Sequence, residues 1–561
     1  MTVLLCLHFT IWDAVSYGFL MKESGVMIDI SLNKIKKNYG FNDVLTDINF
    51  DVYTNDKIAL VGLNGSGKST ILKLIYGIEN PNSGNISIRN NISIGYLSQN
   101  YENKDILVKN MLYENFKDVL KLEYEIKKIE SKMQTQENDY KLITKYCNLL
   151  EKLNDIGGYK VKEKITKTVD TFKLEKLLEK NFNILSGGEK KLVLLANIMI
   201  NNPDVILLDE PTNYLDINTL EWLENYLINY KGSLVIVSHD RYFLDKVTNK
   251  TILIENGTNY IFHGNYSYYL KENENRIINE FEKYKDQQKQ IEEMKKTIKK
   301  LREWGQLGNN ERFFKRAKCI ERRLEKIELI NKPKIKNNIP ITFNDNKRTG
   351  HDVLKINNLN LVIEDKILLD NVNFELTYGT RTCILGSNGS GKSTLIKYII
   401  NNYNNSKSTD NIKIGTNVKI GYIEQEIKFK NEDIRVYDEA RKYFNGEEYL
   451  LRSSLFKFMF YGDDIYKKLN KLSGGERVRL LLFCLIQQEI NFLILDEPTN
   501  HIDIETKEVL EDALIDFKGT ILFVSHDRYF INKIATSILE IKDKKIHNHI
   551  GNYDDYKNYY K

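Results

Sequence analysis

The chain has 561 residues, 42% of them hydrophobic, with only six prolines and 31 glycines. At roughly 100–200 residues per domain it is too long for one ordinary domain, and its composition excludes collagenous and proline-rich disordered chains. Its 82 basic and 77 acidic residues nearly cancel to +5, so the informative quantity is where the charge sits.

Five widely spaced cysteines (Cys6, Cys147, Cys319, Cys383, Cys484) form no C-x-x-C pair. Neither a disulfide framework nor a zinc or iron–sulfur cluster is indicated, and a reducing compartment is expected. No apolar run approaches the roughly 18 residues of a membrane-spanning helix. The first 25 residues lack the basic n-region and A-x-A site of a signal peptide. The expectation is a cytoplasmic protein without a membrane span.

Residues Met1–Val26 match nothing later in the chain, whereas Met27 opens MIDISLNKIKKNYG. Met27 or Met21 is therefore a candidate initiator, against the alternative of an ordered extra strand. Next, the apolar strand Ile58–Val61 runs into GLNGSGKST at Gly62. The same arrangement returns as Thr382–Leu385 and GSNGSGKST at Gly386. A strand, a glycine-rich loop and a helix make the phosphate-binding P-loop, whose N–H groups and helix N-terminus cradle phosphates. The candidate contacts are Gly62, Asn64, Gly65, Ser66, Gly67, Lys68, Ser69 and Thr70, and Gly386, Asn388, Gly389, Ser390, Gly391, Lys392, Ser393 and Thr394. Lys68 and Lys392 would reach the β- and γ-phosphates, and Ser69 and Ser393 would hold Mg²⁺.

The repeat continues in order. GYLSQ ends at Gln99 and GYIEQ at Gln425. LSGGE begins at Leu185 and Leu472, SHDRYF at Ser238 and Ser525, and GNY at Gly264 and Gly551. The copies are offset by 326 residues at the glutamines but by 287 from the serines of LSGGE onward, so the first copy holds 39 extra residues. There, Leu120–Met133 and Asp139–Leu153 are rich in Lys and Glu with apolar residues at helical spacing. A helical hairpin projecting from the first domain, within about 105–180, is predicted; a disordered insertion is the alternative.

Apolar strands then end in Asp-Glu, at Val205–Glu210 and Phe492–Glu497. Asp209 and Asp496 would join the Mg²⁺ shell, while Glu210 and Glu497 would orient or deprotonate an attacking water. His239 and His526 close the apolar strands Leu234–Val237 and Ile521–Val524, where they would touch the γ-phosphate. Alone, each histidine reads as structural; beside the Asp-Glu pair it points to hydrolysis.

Between the copies, 271–350 carries 22 Lys and Arg against 13 Asp and Glu, a net of +9 in a chain of net +5. Lys271–Leu301 and Glu311–Leu329 have helical periodicity, separated by a break at Trp304–Asn310 with two glycines. Two long helices joined by a short loop are predicted, with a non-helical tail from Pro333. Within Glu311–Arg323, six basic residues meet two acidic ones. Trp304, Arg312, Phe313, Phe314, Lys315, Arg316, Arg322 and Arg323 suit RNA backbones and unpaired bases. A solvated spacer is the alternative for the charges, and packing of the two linker helices is the alternative for the aromatics.

These motifs resemble the nucleotide-binding domains of the ATP-binding cassette (ABC) family over nearly all of both repeats. The resemblance implies an α/β fold of two tandem P-loop ATPase domains, 27–270 and 351–561, binding ATP with Mg²⁺ and joined by the 271–350 linker. It makes LSGGE the signature motif, with Ser186, Gly187 and Gly188 and with Ser473, Gly474 and Gly475 as nucleotide contacts. Gln99 and Gln425 become the Q-loops, and NYLD and NHID the D-loops. The domains would sandwich two ATP molecules head to tail, each between one P-loop and the other copy's signature. Tyr39 stands where the family places an adenine-stacking aromatic. Ile363 occupies that place in the second copy and implies a weaker base contact.

LSGGE in place of LSGGQ, DEPTN followed by Asp, SHDRYF, GNY at each domain end and the basic two-helix linker resemble the ABC-F subfamily. That resemblance implies a monomer whose two ATPase domains pair internally. It would bind the E site of the 70S ribosome, with its linker on rRNA and toward the P-site tRNA. ATP would close the sandwich, and hydrolysis would release the protein. The preferred reading is protection of the ribosome from antibiotics at the peptidyl transferase centre or exit tunnel. Housekeeping translation control is the alternative, and a transporter ATPase with a separate membrane partner is a more distant one.

Overall fold

The computed structural model describes residues 27–98, 105–133, 140–155, 158–213, 215–307, 311–328, 349–363, 366–404, 411–424, 427–500 and 502–559. The N-terminal extension, Gln99, Gln425, Tyr214, His501, Gly308 and the tail from Pro333 lie outside the described residues. Two compact units result. One contains both ATPase halves, and the other is Phe262–Ile339.

In the first half, β1 (Ile28–Tyr39), β2 (Asn42–Tyr53), β3 (Lys57–Val61), α1 (Lys68–Tyr76), β4 (Ser83–Ile88) and β5 (Ile94–Leu97) come first. The helices α2 (Val108–Leu112), α3 (Lys117–Met133), α4 (Tyr140–Asp155) and α5 (Gly158–Phe172) follow. After them come α6 (Gly187–Asn201), β6 (Val205–Asp209), α7 (Ile217–Asn229), β7 (Ser233–Val237), α8 (Arg241–Val247), β8 (Lys250–Glu255) and β9 (Thr258–Phe262). The strand order is β4-β1-β2-β9-β8-β3-β7-β6-β5. In its centre β5, β6, β7, β3 and β8 pair in parallel. VILLD of β6 and SLVIV of β7 are buried at every position, the continuous apolar pattern of strands covered on both faces.

The linker unit contains α9 (Tyr266–Leu307) and α10 (Glu311–Leu324). The second half has β10 (Asp352–Ile363), β11 (Lys366–Thr377), β12 (Arg381–Gly386), α11 (Lys392–Asn404), β13 (Ile412–Ile414) and β14 (Ile420–Ile423). Next are α12 (Val436–Arg441), α13 (Glu448–Lys457), α14 (Gly474–Ile486), β15 (Phe492–Asp496), α15 (Ile504–Asp516), β16 (Thr520–Val524), α16 (Arg528–Ile534), β17 (Ser537–Lys542), β18 (Lys545–Ile550) and α17 (Tyr553–Tyr559). Its main sheet, β14-β15-β16-β12-β17-β18, repeats β5-β6-β7-β3-β8-β9, and a separate sheet β11-β10-β13 repeats β2-β1-β4. The duplication seen in the motifs is thus a duplication of topology.

The insertion is helical, and it contains three helices where two are predicted. The two predicted ones share a small core of Val119, Ile126, Ile129, Leu149 and Leu153. In the linker, the first helix runs into the expected break, through Trp304 and Gly305 to Leu307, and the rest of that break, 308–310, lies outside the described residues. A glycine inside a helix costs roughly 1 kcal/mol, and packing explains its presence here: a Cβ on Gly305 would lie 2.7 Å from the Phe314 ring. Trp304 packs edge-on against Phe313 with centroids 6.1 Å apart, and Arg302 pairs with Glu321 at 2.6 Å. At ~1.5 Å per residue the 42-residue α9 is about 63 Å long. Among the described residues, no helix is long and apolar enough to cross a membrane.

Candidate active site

Each P-loop hangs from a central strand, β3 or β12, and ends at the first residue of α1 or α11. Gly67 caps α1 in the left-handed region (φ 96°), and a Cβ there would lie 2.5 Å from Leu45. No other residue type fits that turn without strain. Lys68 Nζ donates to the carbonyl oxygens of Gly62 and Leu63 at 2.7 and 2.8 Å. Lys392 does the same to Gly386 and Ser387 at 2.8 and 3.1 Å. Both ammonium groups are thus held over their own loop, where phosphate oxygens would take over the bonds.

The strands β6 and β15 deliver the Asp-Glu pairs to the same place. Ser69 is hydrogen-bonded to Asp209, and Ser393 Oγ to Asp496 Oδ1 at 3.0 Å. Glu210 and Glu497 both have φ of 51°, a strained value for a residue with a side chain, costing of order 1–3 kcal/mol. The identical strain aims both carboxylates off their strands. Main-chain bonds hold it, from Glu210 N–H to Val237 O at 2.8 Å and from Glu497 N–H to Val524 O at 3.0 Å. Sequence pattern carries no signal for this conformation.

His239 Nε2 lies 3.4 Å from Glu210 Oε1, and His526 Nε2 lies 3.2 Å from Glu497 Oε1. Burial, with Lys68 and Lys507 nearby, pulls His239 down to about 3. Burial and Lys392 do the same to His526, also to about 3. Both rings are therefore neutral at physiological pH. Burial pushes Asp209 up to about 6 and Glu497 up to about 7. It also raises Glu210, against the pull of Lys191, Lys68 and Lys507.

One cleft of about 1020 Å³ joins groups from both halves. From the first it takes Tyr39, Asn64, Gly65, Gly67, Lys68, Ser69, Thr70, Asp209, Glu210 and His239. From the second it takes Asn388, Gly389, Gly391, Lys392, Ser393, Thr394, Glu497 and His526. Ser186, Gly187 and Gly188 line the same cleft. Gly62, Ser66, Gly386, Ser390 and Asp496 are not among the residues that line it. Among the described residues lining it, Ser473, Gly474 and Gly475 are not included. Ser186 and Ser473 each cap their helix, and each hydroxyl donates to a glutamate, Glu189 or Glu476, at 2.8 Å. Tyr39 donates its hydroxyl to Glu79; the Ile363 side chain lies outside the described set.

The halves are also bound by the carboxylates that close the NYLD and NHID segments. Asp216, in the NYLD segment, accepts from the Asn388 N–H and faces His526. Asp503 acts electrostatically on Lys68 and His239 of the first half. Each half thus places a carboxylate beside the other's phosphate loop. The signal was available: 216 and 503 differ by the same 287 residues as the motifs.

Several buried polar atoms have no hydrogen-bond partner among the described residues: Ser66 Oγ, Ser390 Oγ, Asp209 Oδ1, Glu210 Oε1, Glu497 Oε2, His239 Nδ1 and His526 Nδ1. Unpaired buried polar atoms are rare in folded proteins. Seven converging on two symmetric sites fit a hydrated, metal-bearing polyphosphate. Serine and aspartate oxygens suit Mg²⁺, a hard cation that prefers oxygen ligands and phosphates.

Comparison with known proteins agrees with this geometry. Residues 45–213 and 369–500 match the ABC transporter domain, and 252–343 match a second region also described as ABC transporter. The putative ATP-binding protein YdiF of Bacillus subtilis is 38% identical over 94% of this chain and 82% of its own length. ABC transporter F family member 5 of Arabidopsis thaliana is 33% identical over 95% and 78%. The energy-dependent translational throttle protein EttA of Escherichia coli K12 is 32% identical over 92% and 93%. Among solved structures, an archaeal ribosome recycling factor, aABCE1, in complex with the stalk protein aP1 matches with TM-score 0.59 at 19% identity, over 94% of this chain and 92% of that one. That likeness is one of fold.

Proposed function

The chain belongs to the F branch of the ATP-binding cassette family and hydrolyses ATP, and from that premise we propose that it works on the 70S ribosome. It is read as a cytoplasmic monomer that binds the E site with ATP bound and leaves after hydrolysis, protecting the ribosome from antibiotics at the peptidyl transferase centre or exit tunnel. The two ATPase domains are 27–270 and 351–561, and 271–350 is the segment that meets rRNA and the P-site tRNA.

The observation that carries this reading is the linker pair. On α10, Arg312, Lys315, Arg316, Arg322 and Arg323 are all exposed, and Trp304 and Phe314 remain 54% and 41% exposed. Cations beside planar rings suit an RNA surface. A second reading, translation control without drug protection, is favoured by the Trp304–Phe313 contact. It accounts for the two aromatics without any target. The name of EttA, a translational throttle, points the same way.

In the hydrolytic step, Lys68 and Lys392 would hold the β- and γ-phosphates, with Ser69, Asp209, Ser393 and Asp496, and with Gln99 and Gln425, around Mg²⁺. Bound there, the metal would neutralise charge developing on the phosphates. Glu210 and Glu497 would accept the proton of the attacking water or orient it. The neutral His239 and His526, with Nε2 beside the glutamates at 3.4 and 3.2 Å, would present a ring nitrogen to the site.

The decisive experiment pairs Glu210→Gln with Glu497→Gln. ATP binding should persist, turnover should fall to background, and the chain should stay on sedimented 70S ribosomes. Undiminished turnover would remove the catalytic assignment. Inhibitory concentrations of lincosamides, pleuromutilins, streptogramins, macrolides and phenicols, with and without expression, then separate protection from translation control.

A further inference from the structure

Superposing the halves by their 287-residue offset locates where the repeat is broken. Lys191 stands opposite Val478, and Lys507 opposite Leu220. Both lysines are buried, 2% and 5% exposed, and both converge on the first site. Lys191 Nζ donates to the Glu210 carbonyl oxygen and, at 3.2 Å, to that of Asn213. It thereby ties both ends of the turn leading from the Glu210 carboxylate toward Asp216. Lys507 arrives from the other half. Its Nζ donates to the His239 carbonyl oxygen at 3.0 Å and to Asp527 Oδ2 at 2.7 Å.

The second site is built differently. The Glu497 carbonyl oxygen accepts from the Asn500 N–H at 3.3 Å. Leu220, which lines the cleft, has no donor to offer the main chain at His526. A buried ammonium is costly unless it is hydrogen-bonded. A lysine that meets this need with two carbonyl oxygens, or with one and a carboxylate, therefore fixes those groups relative to each other.

We propose that the two ATP sites are inequivalent: Lys191 and Lys507 are positioning residues that hold Glu210 and His239 ready for hydrolysis, while the second site, with Val478 and Leu220, turns over more slowly. The proposal rests on the reading of Glu210 and Glu497 as the hydrolytic carboxylates. Lys507 also ties the first site's histidine to Asp527, the residue after the second site's histidine, so the two sites share one mechanical link.

The test measures kcat and KM for ATP on the full chain with magnesium. Glu497→Gln leaves the first site to work, and Glu210→Gln the second. The first of these chains is expected to keep about ten-fold higher kcat, a size that loss of sub-ångström positioning readily produces. Adding Lys191→Met or Lys507→Leu to the Glu497→Gln chain should bring kcat down toward the Glu210→Gln value. KM should move by no more than about two-fold, because neither ammonium bonds a P-loop atom. An inactive misfolded fraction would also lower kcat at constant KM, so circular dichroism and active-site titration of the same samples set the active concentration. If Lys191→Met fails to fold, the two glutamine chains still decide the matter. Equal kcat in those two, with the double Glu→Gln chain inactive, overturns the inequivalence and leaves the carboxylate reading standing. Full turnover in the double chain overturns both. Undiminished kcat in folded lysine variants overturns the role of Lys191 and Lys507.

Discussion

Arg528 and Glu224 lie 304 residues apart in the chain and form a buried ion pair between the two ATPase halves. Its mirror is Arg241 with Glu511, each member displaced by the 287 residues of the repeat. Each arginine also lies over a tyrosine of the other half, Arg528 over Tyr242 at 4.3 Å and Arg241 over Tyr529 at 4.1 Å. Lys246 and Lys533 complete the pattern on Glu224 and Glu511 at 3.3 and 3.0 Å. Self-complementary pairing of this kind is the signature of a two-fold interface, here formed by one chain with itself.

Breaking that pair should be costly. Arg528 is 0% and Glu224 2% exposed, so Arg528→Met strands a carboxylate with only Lys246 beside it. A loss of about 3–5 kcal/mol is expected, read from urea unfolding. Arg528→Met combined with Glu224→Leu should recover part of it, because the buried Glu224 charge is gone, while Asp240 loses the arginine 3.8 Å away and Lys246 loses its carboxylate. A single substitution costing less than about 1 kcal/mol would show that water reaches the pair.

The two site histidines should not titrate in the usual range. Of the eight histidines, His239 and His526 are held down to about 3 by burial and neighbouring lysines. Their ring carbon shifts should stay constant from pH 8 to 5. The sign for stability follows: the unfolded ring takes a proton below about 6.5 and the folded one does not. These two residues therefore cost the fold stability as pH falls from about 6.5 toward 3. Ordinary titration near 6.5 would mean that the site is open to water.

The proposed RNA contact carries its own salt signature. If Arg312, Lys315, Arg316, Arg322 and Arg323 neutralise phosphates, replacing all five with Gln should lower the slope of log K against log salt by up to about 4. Ribosome sedimentation across a potassium series measures this. An unchanged slope makes the stretch a spacer.

The linker tip offers two separable outcomes. Gly305→Val should force the Phe314 ring away and loosen α9 from α10, costing about 1–3 kcal/mol, visible as faster amide exchange in both helices. Ala substitution of Trp304, Phe313 and Phe314 should abolish drug protection, with inhibitory concentrations falling to those of cells lacking the protein. Protection retained at normal ribosome occupancy would favour the translation-control reading.

Much of this protein was legible in one dimension because its chemistry is local. A P-loop needs glycines where φ is positive, as at Gly67, and a lysine and serine directly after them, as at Lys68 and Ser69. A β-strand buried on both faces must read as VILLD or FLILD, and its carboxylates must follow at the end. Repetition then turned each motif into two, and the 287-residue offset carried even Glu224 and Asp216 onto partners. Tertiary structure decided what depends on distant segments meeting. The positive φ of Glu210 and Glu497 is maintained by bonds to Val237 and Val524. The first linker helix continues through Gly305 to Leu307, where Phe314, on another helix, fills the space that the glycine leaves. Lys191 and Lys507 look like ordinary helix-face charges in sequence. Burial against the carbonyl oxygens of Glu210 and His239 makes them otherwise, since only a folded chain removes the water that would solvate them.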